Sequence, residues 1–335
     1  MSGPRPEPSG VPTVGDPSAT DVLVVGSTMV DLVAYAARLP ADGETVFGER
    51  FVQGFGGKGA NQAVMAARFG VAVAMVGMVG DDPNGRLIVD NLRIQGVGAD
   101  DVGVVAGSSG VAPIWVDASG MNQIIIIPGA NRLVRPDVAA AAVERLRPAV
   151  VVGQFEIPQA ATTAAFAAAR RVGAVTLLNP APGDPIEPDL LAVTDWLVPN
   201  ETEFVLVGGR ALTGVAAEEG AAIAALGDAL DVSLVVTLGG RGAALRPRAG
   251  DVSWVAAPEA AAIDTTGAGD AFVGAFAVGL AAGLGPHAAA TLGCTAASDS
   301  VVRAGTQSSY ATPEVATAML SVARAGETTN RAASG

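Results

Sequence analysis

The run Asp264-Thr265-Thr266-Gly267-Ala268-Gly269-Asp270 leads straight into an apolar stretch, Ala271-Phe272-Val273-Gly274-Ala275-Phe276. A glycine-rich turn that opens a helix leaves its first backbone N–H groups, here those of Gly267, Ala268 and Gly269, without intrahelical partners and at the positive end of the helix dipole. Such a turn can hold an anion. Asp270, in the first helical turn, stands where a carboxylate can take a proton from a hydroxyl next to that anion. Donors around a migrating group and a base on its nucleophile are the parts that phosphoryl transfer needs. The plainer reading of the same residues is an Asp-rich turn and helix cap.

A second constellation is Gly54-Phe55-Gly56-Gly57-Lys58-Gly59-Ala60-Asn61-Gln62. Its glycines let a polar ligand approach the backbone, while Lys58 and Asn61 supply a cation and an amide. Lys58 is the only lysine, and every other cation is arginine. The run also fits Gly-x-Gly-x-x-Gly, with Asp81 about twenty residues further on, so a dinucleotide site in a NAD-dependent oxidoreductase is a competing reading. Against it, residues 49–53 alternate polar and apolar instead of forming a buried first strand. The apolar run 21–25 has no such glycine set. A Walker A loop fails because neither Ser nor Thr follows Lys58.

Composition removes other classes. There is one cysteine, Cys294, and one histidine, His287, so an intrachain disulfide, a thiolate cluster and a His-rich metal site are all excluded. Both take bland roles, Cys294 as a small buried side chain and His287 as a helix-start residue. Twenty basic residues against thirty-three acidic ones give a net charge of −13, which offers nothing to a nucleic-acid backbone. With 50% hydrophobic and 16% charged residues in 335, the chain has ample material for a large core. Residues 1–20 lack an apolar signal-peptide core and read as a floppy leader. The uncharged stretch 271–298 holds five glycines and reads as two core helices split at Gly285-Pro286, not as a membrane span. The expectation is a protein with no membrane association, in the cytoplasm.

The elements that must carry these motifs alternate. Apolar runs at 21–25, 71–79, 149–152, 174–178, 196–198 and 234–238 read as buried strands. Ala-rich stretches at 60–69, 136–146, 158–171 and 216–230 have helical spacing. The pattern predicts an α/β fold with a doubly wound, mostly parallel sheet, whose ligands bind beyond the carboxyl ends of the strands. Two stretches depart from it. Residues 44–53 alternate, and 111–117 with 123–127 flank the turn Ala118-Ser119-Gly120 as a hairpin. Together they predict a small β lid, inserted from about 32–54 and 110–128, whose apolar face would serve as a lid or a dimer contact. Trp115 on that hairpin would pack on a ligand or across the contact. The tail 325–335 is expected to fray.

The chain resembles the ribokinase branch of the PfkB carbohydrate-kinase family from about residue 21 to 324. Gly56-Gly57-Lys58-Gly59-Ala60-Asn61-Gln62-Ala63 is similar to the family's sugar-binding signature and Asp264 to Asp270 to its C-terminal signature. Between them, in the family's order, lie Gly80-Asp81-Asp82, Asn179-Pro180-Ala181-Pro182, Pro199-Asn200-Glu201-Thr202-Glu203 and Thr237-Leu238-Gly239-Gly240-Arg241-Gly242. The resemblance implies a ribokinase-like kinase domain that uses ATP, Mg²⁺ and an activating K⁺ to phosphorylate a sugar, working as a homodimer through the lid. It implies Asp270 as the base, with Gly267, Ala268 and Gly269 as the anion hole. Asp31, Gly57, Lys58, Asn61 and Glu156 would hold the sugar. Asn200 and Glu203 would organise Mg²⁺ and phosphates, and Thr237, Gly239, Gly242 and Gly269 would line the nucleotide. Asp264, Thr266, Ser300, Arg303, Gly305 and Ser309 match the loops that bind the monovalent cation. On their own residues, Asn200 to Glu203 also reads as a helix start and Thr237 to Gly242 as a turn.

One position departs from the family. Where ribokinases carry asparagine in Gly-Ser-x-Asn-x-Asp, this chain reads Gly26-Ser27-Thr28-Met29-Val30-Asp31. A thioether accepts weakly and cannot donate, so a ribose hydroxyl facing Met29 would be desolvated without a partner, at a cost of about 1–3 kcal/mol. A sugar lacking that hydroxyl escapes the penalty. Methionine here resembles the deoxyribokinase branch, which favours 2-deoxy-D-ribose over D-ribose; ribokinase proper or another sugar or nucleoside kinase of the family is the alternative.

Overall fold

In the computed structural model, which describes residues 20–333, the apolar runs become strands buried on both faces. The chain begins with β1 (Val22–Val25), β2 (Met29–Tyr35), β3 (Arg50–Gly56), α1 (Lys58–Arg68) and β4 (Val73–Gly80). It continues through α2 (Pro83–Ile94), β5 (Val97–Val105), β6 (Gly110–Val116), β7 (Asn122–Ile124), α3 (Pro136–Leu146) and β8 (Val150–Gly153). Next come α4 (Gln159–Val172), β9 (Val175–Leu178), α5 (Pro188–Leu191), β10 (Trp196–Leu197), α6 (Glu201–Leu206), α7 (Ala216–Leu230) and β11 (Ser233–Thr237). The antiparallel strands β12 (Ala243–Arg246) and β13 (Ser253–Val255) precede α8 (Ala268–Ala281), α9 (Pro286–Ser300) and α10 (Pro313–Ala333).

Nine strands form one sheet in the order β13-β12-β11-β10-β9-β8-β1-β4-β5, parallel from β5 across to β11. The α/β expectation is met, and β1 explains why its sequence is uniformly apolar. Val22 and Val24 join a core cluster with α1, α8 and α9, whereas Leu23 and Val25 join the opposite one with α3 and α4. Successive side chains of a strand point to opposite faces, so a central strand needs apolar residues at every position. Each of these buried side chains contributes on the order of 1.5–3 kcal/mol.

The second sheet has four strands in the order β3-β2-β6-β7, with β6 and β7 forming the expected hairpin. It differs from the sequence reading at both ends of its first segment. Residues 44–49 form no strand: Glu44 pairs with Arg38 and accepts a hydrogen bond from the Ala41 N–H at 3.0 Å. Such local side-chain bonds compete with strand pairing. At the other end β2 starts at Met29, opposite Gly56, so the small sheet grows almost directly out of β1.

The uncharged stretch after Asp270 forms α8 and α9, separated at Gly285, and no helix among the described residues is long and apolar enough to cross a membrane. Residues 325–333, expected to fray, continue α10 as helix; the Glu327 carboxylate lies 3.0 Å from where a Cβ on Gly285 would stand, beside the N-terminus of α9. An acid there is favoured by the helix dipole. The proposed leader falls outside the described residues apart from Thr20.

The contact that matters most for the site is between α1 and α8. A Cβ on Gly274 would stand 2.6 Å from the Gln62 carbonyl oxygen and 3.0 Å from Met65 Cβ, so only glycine permits this approach. Gly274→Val is expected to cost about 1–3 kcal/mol through overpacking. Calorimetry should record a thermal midpoint lower by a few degrees, and an unchanged midpoint would contradict the packing argument.

Candidate active site

Asp270 occupies the first turn of α8 and is 6% exposed. A buried carboxylate must have its oxygens hydrogen-bonded. Two amides from α1 do this: Asn61 Nδ2 donates to Oδ2 and Gln62 Nε2 to Oδ1, both at 2.9 Å. Each oxygen keeps an acceptor position, since a carboxylate offers roughly four. Gln62 is itself held, sharing Nε2 with Asn179 Oδ1 at 3.1 Å and accepting from Gln154 Nε2 at 2.6 Å. Gly267 caps the helix in the left-handed region (φ 77°), and a Cβ there would press on Thr306 Cγ2 at 2.6 Å. Of the three turn amides, the Ala268 N–H donates to the Thr265 carbonyl at 3.2 Å.

Asp270 faces a cleft of about 180 Å³ that also gathers Lys58, Asn179, Asn200, Glu203, Thr237, Gly267 and Gly269. Residues from five widely separated parts of the sequence thus converge on one space. Burial works to lower the Lys58 ammonium, but the negative charges of Asp270, Glu156 and Glu203 outweigh it and hold it above its ordinary value. Burial also raises the Glu203 carboxyl; the Asn200 N–H and Lys58 oppose this, and Asp270 adds to it. Asn200 and Glu203 do start a helix, as a reciprocal capping box with bonds of 2.8 and 2.9 Å, and the cap is what aims both into the cleft. Their hard oxygen donors and the incompletely balanced charge at Glu203 suit a largely hydrated Mg²⁺.

Thr237 and Gly269 also line a second, contiguous cavity of about 770 Å³, together with Gly239, Gly242, Phe272, Cys294 and Val301. Its size and mostly apolar wall suit a nucleotide base and ribose. Cys294 is buried in that wall, and burial pushes its thiol up to about 11. His287 is a helix-start residue, as expected.

On the lid side, Glu156 Oε2 accepts from Ser27 Oγ at 2.5 Å and from the Lys58 N–H at 2.9 Å. Gly57, at φ 89°, brings that N–H round; a Cβ on it would stand 2.7 Å from Thr28 Cα. Asp31 lies nearby, its carboxyl pushed up to about 6 by burial and then by the charge of Glu156. Met29 is 2% exposed yet belongs to neither core cluster, whereas Val30 and Leu32 pack in the α1–α8 core. By strand alternation Met29 therefore shares its face with Asp31. Trp115 is half-buried on β6, opposite Ala34 of β2.

The loops expected to bind a monovalent cation are tied together. Asp264 Oδ1 accepts from the Thr266 N–H and Oδ2 from the Gly305 N–H, both at 2.9 Å. Arg303 Nε donates to the Ser309 carbonyl at 2.8 Å, and the Ser300 and Ser309 hydroxyls bond to carbonyls of Ala297 and Thr306. Among the described residues no cluster of three or more His, Cys, Asp or Glu could grip a metal. A cation here would rest on carbonyl and hydroxyl oxygens, a set suited to a hard ion.

Several sequence readings change. Asn61 lies against Asp270 and Gln307 rather than standing free for a ligand. Gln62, Gln154, Asn179 and Gln307 were missed as site residues; Gln62 and Asn179 stand inside motifs that the sequence does show, whereas nothing in it marks Gln154 or Gln307. Asp82 of the Gly80-Asp81-Asp82 block caps α2 by accepting from the Gly85 N–H at 2.7 Å, a structural role. The dinucleotide reading of Gly54 to Gly59 fails, because that run joins β3 of the small sheet to α1 and follows no strand of the parallel sheet.

The geometry has relatives. Residues 19–313 match the pfkB family of carbohydrate kinases. The chain is 38% identical over 293 residues to a deoxyribokinase of Salmonella typhi, covering 87% of this chain and 95% of that one. It is 40% identical over 267 residues to a ribokinase of Mus musculus, covering 78% and 82% respectively. Among solved structures, Arabidopsis thaliana ribokinase complexed with ribose and ATP superposes with a TM-score of 0.81 at 31% identity, over 90% of this chain and 99% of that one.

The raised Asp31 carboxyl has a stability consequence. A carboxyl whose folded value, about 6, exceeds its unfolded one, 3.8, favours the fold while protonated and weakens it as pH rises through 6. Asp31→Asn should therefore be more stable than the parent at pH 7.5 by about 1–3 kcal/mol. The gap should close towards pH 4. A thermal-midpoint difference that stays constant across that range would contradict the assignment.

Proposed function

The chain belongs to the pfkB family of carbohydrate kinases and is a ribokinase-type sugar kinase that uses ATP to phosphorylate a hydroxyl; from that premise we propose that it transfers the γ-phosphoryl group to the 5-hydroxyl of 2-deoxy-D-ribose in preference to D-ribose. The observation that carries the preference is the position of Met29 on the same face of β2 as Asp31, with Val30 and Leu32 turned into the core. A methionine on that face offers a ribose hydroxyl no adequate partner. The ribose reading retains the mouse enzyme's comparable identity in its favour.

Asp270 is the base. Held at both oxygens by α1, its carboxylate takes the proton of the 5-hydroxyl as that oxygen attacks the terminal phosphorus and the bond from phosphorus to the β–γ bridging oxygen breaks, releasing ADP. The turn residues Gly267 and Gly269 line the cleft and offer their amides to the migrating group, whereas the expected third donor, the Ala268 N–H, is taken by the Thr265 carbonyl; Lys58, in the same cleft, supplies the charge that offsets the phosphates. Asp31, Gly57 and Glu156 hold the sugar, Asn61 acts through its bond to Asp270, and Thr237, Gly239 and Gly242 bound the nucleotide. Mg²⁺ would be held near Asn200 and Glu203, partly through water, and supplies charge neutralisation on the phosphates. K⁺ would rest among Asp264, Thr266, Ser300, Arg303, Gly305 and Ser309, and supplies fixed positive charge beside the turn that opens α8. The small sheet closes over the sugar to exclude water. Exposed apolar side chains on it and beside it, among them Phe51, Met121 and Ile124 to Ile127, would be covered by a second copy of the chain, hence a homodimer.

Two measurements test this reading. Asp270→Asn should lower kcat by about 10²–10⁴ with sugar binding nearly intact, as expected for a lost base. Near-normal turnover would end the mechanism. Met29→Asn should shift the ratio of kcat/KM towards ribose by about tenfold, the equivalent of about 1.4 kcal/mol. An unchanged ratio would remove the specificity argument while leaving the kinase reading intact.

A further inference from the structure

The two amides that hold Asp270 are constrained by different neighbours. A primary amide has nearly the same shape either way round, so Asn61 can present Nδ2 or Oδ1 to the carboxylate. Only the first is attractive; the second sets oxygen against oxygen. What chooses between them lies behind Asn61, in a chain of side chains that leads back towards the surface.

Arg68 Nη2 donates to Gln95 Oε1 at 2.6 Å, and Gln95 Nε2 donates to Asn91 Oδ1 at 3.4 Å. Asn91 Nδ2 donates to Gln307 Oε1 at 2.9 Å, Gln307 Nε2 to Asn61 Oδ1 at 3.0 Å, and Asn61 Nδ2 to Asp270 Oδ2 at 2.9 Å. Every link points the same way. The chain starts at a guanidinium, which can only donate, and ends on a carboxylate, which accepts. Its polarity therefore has one solution. The other arm is fixed from a different side: Gln62 Nε2 also donates to Asn179 Oδ1, and Asn179 Nδ2 donates to the Val198 carbonyl at 2.8 Å, which can only accept, while Gln154 donates to Gln62 with its own Oε1 unpartnered among the described residues.

We propose that Gln307 is a positioning residue of the phosphoryl transfer, fixing the amide polarity of Asn61 and so the orientation of the Asp270 carboxylate. Gln307 is 6% exposed and opens the short helical turn Gln307–Ser309, in the loop that Asp264 grips through the Gly305 N–H. It bridges α2 to α1 and never touches the cleft. The loop that carries it thus acts on the base through one buried amide. The inference rests on Asp270 as the base but concerns a residue the mechanism leaves without a role.

The test is a set of kinetic comparisons at pH 8. Gln307→Met keeps the length of the side chain and removes the donor; kcat should fall about tenfold, with KM for sugar and for ATP within about twofold. Gln307→Glu keeps the shape but turns an acceptor towards Asn61 Oδ1, which forces the amide over; it should lose more than the Met variant. A residue that merely packs would give the reverse order, because Glu is the closer match in shape. In an Asn61→Ala background, where the chain is already cut, Gln307→Met should cost no further kcat. Should the Gln307 variants fail to fold, Asn91→Leu, one link further out and half-buried, must give the same kcat-only loss at smaller size. The proposal is overturned by a Met variant with kcat within twofold of the parent, by a Glu variant faster than the Met one, by additive losses over Asn61→Ala, or by full activity in Asn91→Leu when the Gln307 variants do not fold. If those results arrive with Asp270→Asn inactive, only the relay fails; if Asp270→Asn turns over normally, the base assignment fails first.

Discussion

A carboxylate that is almost wholly removed from water has to be satisfied by the protein, and here α1 does it with two consecutive amides. The bonds from Asn61 and Gln62 to Asp270 span more than two hundred residues of sequence, so they exist only if α1 and α8 lie in contact. That contact in turn needs a residue without a side chain where the helices meet, which Gly274 provides. The rest of the arrangement follows from this constraint. The turn before α8, its glycine cap and the loop 303–309 are all positioned relative to a helix whose first turn is pinned at both carboxylate oxygens.

The pinning has a chemical consequence. An acid fixed at both oxygens, with an acceptor position left on each, is oriented before the substrate arrives, so little reorganisation remains for the reacting state. Around it the charges are arranged in tension: one lysine among three acids, a capped glutamate raised by burial, and an aspartate on the lid side raised to about 6. The lysine gains from the acids around it, but the two raised carboxyls, once ionised, do not favour the unliganded fold. Sites that concentrate unbalanced charge commonly trade stability for binding, and a polyphosphate with its cations would supply the balance.

Much of the architecture was legible in the sequence because local signals agreed with tertiary ones. The helices at 136–146 and 216–230 fall where the spacing puts them, the first opened by Pro136, and the break at Gly285-Pro286 separates α8 from α9. The stretch 44–49 misled because alternation alone cannot reveal that Glu44 turns back onto its own loop. The helix α2 was overlooked although Asp82 and Pro83 carry an N-cap and a first-turn proline, because that block was weighed only as part of a family pattern. In the site, Asp270 and the glycine turns announce themselves by composition. Gln154 and Gln307 do not, since a glutamine that will be buried against a partner far along the chain looks like any surface glutamine until the fold brings the two together; Gln62 and Asn179 sit inside visible motifs, but their bonds to Asp270 and to each other exist only in the fold.

The claim on which the account stands is that the Asp270 carboxylate receives the proton of the attacking hydroxyl. The most direct measurement is a crystal structure with 2-deoxy-D-ribose and a non-hydrolysable ATP analogue. The account predicts the 5-hydroxyl oxygen within about 3 Å of an Asp270 oxygen, in line with the terminal phosphorus, while Asn61 and Gln62 keep their bonds. A sugar bound with that hydroxyl against a different group, and the phosphorus remote from Asp270, would contradict it.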